Sequence, residues 1–325
     1  MATILTDLPF LFQITRSNLC VKQDILATLS YFDIFDYPLF QTEIFQFLRH
    51  SYPQKEFTEA LQELCNENWI YKLDEYYSLQ DNYSLVIRRK EGNSRAKNML
   101  KTAEKIAAFL SRFPFVRGVA VSGSLSKNFA DKDSDIDFFI ITAKNRLWLA
   151  RTFMHCFKKI TFLVKKQEWF CMNYYIDEEA MQIKEKNLFT ATEVATLLPL
   201  RGIDSFQQFY VNNKWSRNYL PNHVLRVSYV DELKKPFFKK LVELIFNNPL
   251  GNVLDISLMK LTRRRWALKK KQRRLNKRGF VLGMDVSRHY AKPDPESFQK
   301  KLVETYEKKI FNLFLRYESR AKSIY

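Results

Sequence analysis

The residues whose types and spacing could do chemistry lie in one short segment of the chain. An apolar stretch ends in Gly123-Ser124, and after a gap of ten residues Asp135-Ile136-Asp137 opens a second apolar stretch. Residues i and i+2 of a strand lie on the same face, so the two carboxylates are expected to point in the same direction. Adjacent carboxylates repel each other unless a cation lies between them, and hard oxygen ligands of this kind suit Mg²⁺ held together with substrate phosphates.

The Gly123-Ser124 bend is the natural partner of these carboxylates. Its backbone N–H groups and its hydroxyl could reach the same phosphates, and Lys127 could add a positive charge. A solvated hairpin with an acidic loop is the alternative, and in that case Lys127 is simply a hydrated loop lysine. Against this alternative, residues 138–141 (Phe-Phe-Ile-Ile) are typical of a strand buried on both faces, and opening such a strand with two carboxylates is costly unless they bind something.

Gly123-Ser124 followed by Ser134-Asp135-Ile136-Asp137 resembles the signature of the DNA polymerase β-type nucleotidyltransferase superfamily. The resemblance implies that Asp135 and Asp137 hold one or two Mg²⁺ ions that bridge the phosphates of an NTP. It also implies that Gly123 and Ser124 cradle the β- and γ-phosphates, with Lys127 nearby. An acceptor hydroxyl would then attack the α-phosphorus, and pyrophosphate would leave.

Members of this superfamily usually supply a third carboxylate from a neighbouring strand, and here the chain departs from the pattern. The expected strand runs over residues 169–177, and its central position on the relevant face is Asn173, an amide that cannot accept a proton at neutral pH. Asp177 lies at the end of that strand. A single-metal enzyme, a carboxylate recruited from elsewhere such as Glu193, and a nucleotide-binding protein without turnover all remain open.

Composition excludes several other classes of protein. No run of about 18 apolar residues is present, so we expect no membrane span and no membrane partner. Residues 1–7 lack the features of a secretory signal. The four cysteines and four histidines are dispersed without metal-ligand spacing, which argues against zinc and disulfides and favours a cytoplasmic protein.

Residues 18–80 predict an N-terminal winged-helix-like module, with three helices followed by a hairpin. DNA reading by this module is disfavoured, because it holds four basic residues against ten acids, a net charge of −6. The helix that would enter the major groove carries Glu56, Glu59 and Glu63. We therefore expect the module to pack on the catalytic domain or to bind a protein partner.

The remaining chain predicts an α+β fold with a small mixed β-sheet flanked by helices. Residues 84–180 form the expected nucleotidyltransferase-like catalytic domain, and residues 181–325 a mostly helical C-terminal region. A capping box is expected at Thr190 and Glu193. The C-terminal region contains a basic helix, residues 254–278, with Leu254, Leu258, Leu261, Leu268 and Leu275 along one stripe.

Most of the excess positive charge falls in that helix. The net charge is +18, and residues 260–278 contain eleven Lys or Arg and no acid. The helix either docks through its leucines and is otherwise solvated, or contacts RNA or DNA through residues 260–278. The sequence thus predicts an Mg²⁺-dependent nucleotidyltransferase acting on an NTP and an unknown hydroxyl acceptor. The alternative is a catalytically impaired nucleotide-binding or nucleic-acid-binding protein on the same fold.

Overall fold

The computed structural model of the chain describes residues 20–161, 171–226, 236–275, 281–293 and 298–322. Helices and strands alternate through these ranges, and the fold is α+β as expected. A small sheet lies in the N-terminal part, and a larger mixed sheet carries the candidate site.

The N-terminal module contains, within the described residues, three helices and a three-stranded antiparallel sheet in the order β1-β3-β2. Its elements are α1 (Val21–Asp33), β1 (Leu39–Phe40), α2 (Gln41–Phe47), α3 (Gln54–Asn66), β2 (Tyr71–Leu73) and β3 (Tyr76–Ser78). Ile25, Leu26 and Leu29 of α1 are buried at helical spacing, and Asp74 takes a left-handed conformation (φ 54°) between β2 and β3. The elements follow the expected order, and their assignment to the winged-helix class stays a prediction.

The central part of the chain builds most of the larger sheet. Its elements are α4 (Ser84–Leu110), β4 (Val116–Val121), α5 (Gly123–Ser126), β5 (Asp137–Thr142), α6 (Leu147–Thr161), β6 (Cys171–Asp177), α7 (Leu188–Thr196), β7 (Leu198–Arg201) and α8 (Ile203–Asn212). Strand β4 pairs antiparallel with β5 and β7, whereas β5 and β6 are parallel. The sheet is therefore mixed, and the loop after β4 meets the start of β5 at one edge.

The C-terminal part adds helices and completes the sheet. After a 3₁₀ turn (Lys214–Asn218) come α9 (Phe237–Phe246), α10 (Pro249–Lys271), β8 (Met284–Val286), β9 (Tyr290–Pro293) and α11 (Phe298–Lys322). Strands β9 and β8 extend the sheet beyond β6, giving the order β7-β4-β5-β6-β9-β8 in the described residues. Helix α11 returns to the N-terminal module, where the Tyr306 hydroxyl donates to the Ala27 carbonyl at 3.3 Å.

Strand β5 is buried on both faces, as the sequence predicted. Phe138 and Ile140 enter one core cluster, whereas Phe139 and Ile141 enter a second cluster that also contains Phe206 of α8. The sheet is thus covered by apolar side chains on both faces, and this packing fixes the position of the start of β5.

Two local predictions in the C-terminal half were wrong. The N-cap of helix α7 is Asn187, three residues before the expected cap Thr190. The Asn187 side chain accepts the Thr190 backbone N–H at 2.9 Å. The basic helix ends at Lys271 instead of residue 278, since Arg273 adopts a left-handed conformation (φ 47°) and the chain turns back. Residues 276–278 lie outside the described residues.

The leucine stripe of the basic helix does not dock the helix as a whole. Gly251, Asp255 and Met259 are its buried residues, and Leu258 packs beside them. Leu254, Leu261, Leu268 and Leu275 are exposed instead.

Candidate active site

The glycine bend and the second carboxylate lie in contact. Gly123 has φ +69°, and a Cβ placed on it would lie 3.0 Å from Oδ2 of Asp137. Ser122, the residue before the bend, donates its backbone N–H to the Asp137 carbonyl at 2.9 Å and its hydroxyl to the same oxygen at 3.3 Å. These bonds join the end of β4 to the start of β5. The bend therefore faces the Asp137 carboxylate closely enough that only glycine fits without displacing it.

Asp135 lies in the loop just before β5. Asp135 and Asp137 are both half-buried, whereas Ile136 between them is buried in the core below the sheet. This alternation is what an extended chain gives when the residues on either side of an inward apolar side chain project the other way. The loop itself is closed by Ser134, whose hydroxyl accepts the backbone N–H of Asp131 at 2.8 Å.

Asn173 lies beside Asp137, at the expected position on the neighbouring strand. The pairing of β5 with β6 steps from Phe138–Met172 to Phe139–Tyr174, so Asn173 is an extra residue in a bulge. Its side-chain amide donates to Oδ1 of Asp137. Asp177 pairs opposite Thr142 at the far end of β6, about 13 Å from Asn173 along the strand. The structure thus brings Gly123, Asp137 and Asn173 together and places Asp177 elsewhere.

Lys127 is not a hydrated loop lysine. Its ammonium lies 2.6 Å from Oε1 of Glu193 and donates to the Gly123 carbonyl at 3.1 Å, and its side chain is only 16% exposed. The expected role of Glu193 as a helix cap was wrong, because α7 starts earlier and leaves this carboxylate free to bind Lys127. A positive charge is consequently held directly behind the bend.

Residues outside the motif support the loop that follows the bend. The Tyr37 hydroxyl donates to the Lys127 carbonyl at 2.6 Å, and the Tyr37 ring packs edge-on against Phe129 with ring centroids 5.5 Å apart. Arg88 of α4 binds the Asp131 carboxylate at 3.0 Å. Sequence reasoning missed these supports, because nothing in the spacing of Tyr37 or Arg88 links them to a loop far along the chain.

Two cations, Lys127 and Arg226, lie beside the bend. Arg226 donates to the Ser126 carbonyl at 2.8 Å. Burial, followed by the charges of Arg226 and Lys127, lowers the pKa of His223 from its usual 6.5 to about 4, so this histidine is neutral near pH 7. Cations that disfavour a second positive charge would favour the negative charge of a phosphate at the same place.

The donor set is compatible with a hard divalent ion. Searched over the described residues, the chain has no group of three or more His, Cys, Asp and Glu side chains that could hold a metal. Mg²⁺ needs fewer than three such side chains, because it usually keeps several waters and is held by one or two carboxylates plus substrate phosphates. Asp135 and Asp137 offer those carboxylates, so the residues present fit an ion that arrives with a nucleotide.

Comparison with known proteins agrees with this geometry. Residues 102–206 match the model of the nucleotidyltransferase domain family, and all candidate residues from Gly123 to Asn173 lie inside the match. Searches of curated proteins and of solved structures found no match. Among the helices that the structure describes, none is long and apolar enough to cross a bilayer. The matched segment and the contact between Gly123 and Asp137 together support membership of residues 102–206 in the nucleotidyltransferase superfamily.

Proposed function

We propose that this protein moves an NMP group from an NTP to a hydroxyl acceptor and releases pyrophosphate. The family match supports NMP transfer in general, and one observation carries the finer proposal. A glycine in a left-handed conformation lies against the Asp137 carboxylate, so a phosphate held by the bend would meet that carboxylate. A cation is then needed between phosphate and carboxylate, because both are negative.

Each candidate residue has a role in this proposal. Asp135 and Asp137 would hold Mg²⁺, and the bend at Gly123 and Ser124 would donate N–H groups and a hydroxyl to the β- and γ-phosphates. Lys127 would balance phosphate charge from behind the bend. When bound, the divalent ion would supply charge stabilisation to the attacking and departing oxygens.

The reaction forms one bond and breaks one bond at the α-phosphorus. The acceptor oxygen bonds to it while the bond to the bridging oxygen breaks, and pyrophosphate leaves with the electron pair. The hydroxyl proton cannot go to Asn173, because an amide does not accept a proton at neutral pH. Water or the Asp135 carboxylate would take it instead, so most of the rate would come from positioning and charge neutralisation.

The N-terminal module would support the site rather than read DNA. Its Tyr37 holds the loop after the bend through the Lys127 carbonyl. The acids on α3, namely Glu56, Glu59 and Glu63, are exposed, and such a surface repels phosphates. We propose residues 18–80, 84–180 and 181–325 as the three parts of the chain. Free thiols at Cys20, Cys65 and Cys156 favour a cytoplasmic setting.

A second function is favoured by Asn173. Its amide occupies Oδ1 of Asp137 and adds no negative charge, which suits a protein that binds a nucleotide without turning it over. In that protein the same pocket would sense an NTP, and the metal would serve binding alone.

Pyrophosphate release and product labelling separate these two functions. The full chain is incubated with labelled NTPs, Mg²⁺ or Mn²⁺ and cell extract as the source of acceptors. We expect labelled product and pyrophosphate with the parent protein and with Asp133→Ala, an exposed acid in the same loop. We expect neither with Asp135→Ala or Asp137→Ala. Nucleotide binding without any product favours the sensor, and product formation by Asp137→Ala contradicts the proposed enzyme.

A further inference from the structure

Helix α9 is docked with Lys239 and Glu243 facing inward. The Lys239 ammonium is fully buried and donates to the carbonyls of Ser111 and Val116 at 2.9 and 2.8 Å. The Glu243 carboxylate accepts the Phe115 N–H at 2.7 Å and binds Arg117 at 2.8 Å. Burial opposes ionisation of Glu243, yet these bonds hold its pKa below the usual value, so the carboxylate stays charged.

The large apolar residues of α9 face outward instead. The exposed fractions are 80% for Phe237, 63% for Phe238 and 78% for Leu244, with Leu241 and Ile245 also exposed. These positions follow the i, i+1, i+4, i+7, i+8 spacing of one helical stripe. Leu250 at the start of α10 continues it and is 78% exposed. We name these six residues the apolar patch. A contiguous apolar surface of this kind usually marks an interaction site.

The apolar patch runs into a row of cations along α10. Leu254, Leu261 and Leu268 continue the line of Leu250 along the helix, since about 100° per residue returns them to one side. Arg264, Arg265 and Lys271 flank that line and are exposed. We name them the basic strip. Helix α10 has 23 residues and is therefore about 35 Å long.

Acidic side chains are turned away from this surface. Residues 237–274 contain two acids, Glu243 and Asp255. Glu243 binds Arg117, and Asp255 is buried and accepts the Leu149 N–H at 2.8 Å. Within α9 and α10, the exposed side chains therefore combine apolar groups with positive charge and no acid.

We propose that the apolar patch and the basic strip bind the surface of an anionic lipid bilayer. The side chains of the apolar patch are 42–80% exposed, so they can enter the acyl boundary while flanking cations meet anionic headgroups. RNA phosphates would use the basic strip but give the apolar patch no partner. The expectation of no membrane partner came from the lack of a spanning segment, whereas lying on a bilayer requires none. This proposal does not depend on the proposed reaction.

Co-sedimentation of the full chain with lipid vesicles tests the proposal. Vesicles of phosphatidylcholine alone are compared with vesicles that also contain phosphatidylglycerol. We expect binding to the anionic vesicles and at least about tenfold weaker binding to the neutral ones. The double variant Phe237→Ser/Phe238→Ser and the double variant Arg264→Gln/Arg265→Gln should each weaken the anionic binding by about tenfold or more.

Matched controls replace similar residues elsewhere on the surface. Leu315→Ser removes an exposed apolar side chain of α11, and Lys97→Gln/Lys101→Gln removes exposed cations of α4. Both controls should bind vesicles like the parent, with circular dichroism showing that every variant is folded. Any one of several results would overturn the proposal. Two of them are a lack of sedimentation with anionic vesicles and equal weakening of binding by the control variants. Another is a parent dimer that Phe237→Ser/Phe238→Ser converts to monomer. RNA binding that survives Phe237→Ser/Phe238→Ser, without vesicle binding, would also overturn it.

Discussion

Asn173 of β6 donates its side-chain amide to Oδ1 of Asp137 at the head of β5. An amide therefore stands where the nucleotidyltransferase signature leads one to expect a carboxylate. It satisfies one oxygen of Asp137 and leaves Oδ2 facing the Gly123 bend. The site has fewer negative charges than a three-carboxylate site would have, which should weaken metal binding before the nucleotide arrives.

Asn173→Asp tests this consequence directly. A third carboxylate would repel Asp137, so we expect the metal-free variant to lose about 1–2 kcal/mol of unfolding free energy. Mg²⁺ should relieve the repulsion, and the rise in melting temperature on adding Mg²⁺ should be larger than in the parent protein. Asn173→Ala adds no charge and serves as the control. Equal Mg²⁺ shifts in all three proteins would show that Asn173 does not border a metal site.

Gly123→Ala tests the bend. The left-handed backbone of Gly123 would cost an alanine about 1–2 kcal/mol, and the new Cβ would press on Oδ2 of Asp137. We expect lower stability and a raised KM for the NTP, measured by denaturant unfolding and steady-state kinetics. Asn128→Gly is the matched control, because Asn128 is left-handed (φ 59°) in the same loop and should tolerate glycine. Unchanged kinetics in Gly123→Ala would show that the bend does not hold the nucleotide.

Tyr37→Phe tests the support that the N-terminal module gives to the site. The variant leaves the Lys127 carbonyl without its 2.6 Å hydrogen bond, which should cost about 1 kcal/mol of stability. We expect a modest loss of nucleotide affinity as well, since the loop after the bend becomes less fixed. Tyr83→Phe removes an exposed hydrogen bond to Asp74 at 2.9 Å, so it should cost less stability and leave nucleotide affinity unchanged. If Tyr37→Phe bound the nucleotide as tightly as the parent, the N-terminal module would not support the nucleotide site.

His223 predicts a pH dependence of stability. Its pKa falls from 6.5 to about 4 on folding, because of burial and then the nearby cations. The unfolded chain therefore takes up a proton first as the pH drops from 6.5 towards 4, and this group costs the fold about 3 kcal/mol over that window. At pH 7 both states are neutral and the cost is absent.

The comparison of His223→Gln with the parent isolates this effect. Burial raises the pKa of Asp255 to about 6, so Asp255 acts in the opposite direction as the pH falls from 6. The readout is accordingly the difference in unfolding free energy between parent and variant, followed from pH 7 to pH 4. The variant should lose less stability on acidification. Parallel curves would mean that His223 has the same pKa in both states.

Local patterns were sufficient to predict much of the fold. Helical spacing placed α1 to α3, and the uninterrupted apolar run of β5 predicted burial on both faces. These signals are local in sequence, so a short window contains them. The resemblance to the nucleotidyltransferase signature led us to expect Gly123 and a third residue near Asp137, and alternation along the neighbouring strand selected Asn173.

Long-range contacts could not be predicted in the same way. Strands β7, β8 and β9 join the sheet from a region expected to be helical, because short strands gain their stability from partners distant in sequence. Asp255 supplies the N-terminal cap of α6 by accepting the Leu149 N–H, across more than a hundred residues. Glu193 was assigned to a cap because its spacing from Thr190 fits one, whereas its partner is Lys127.

Nucleotide binding with and without a divalent ion shows whether Asp137 and the Gly123 bend form a metal-dependent nucleotide site. Each common ribonucleoside triphosphate is titrated into the full chain by calorimetry, with Mg²⁺ and then with EDTA, in the parent protein, Asp137→Ala and Asp133→Ala. We expect one or more triphosphates to bind the parent and Asp133→Ala only with Mg²⁺, and we expect Asp137→Ala, still folded, to lose this binding. Unchanged affinity in Asp137→Ala, or binding by the parent that is equally tight without Mg²⁺, would contradict a metal-dependent nucleotide site at Asp137.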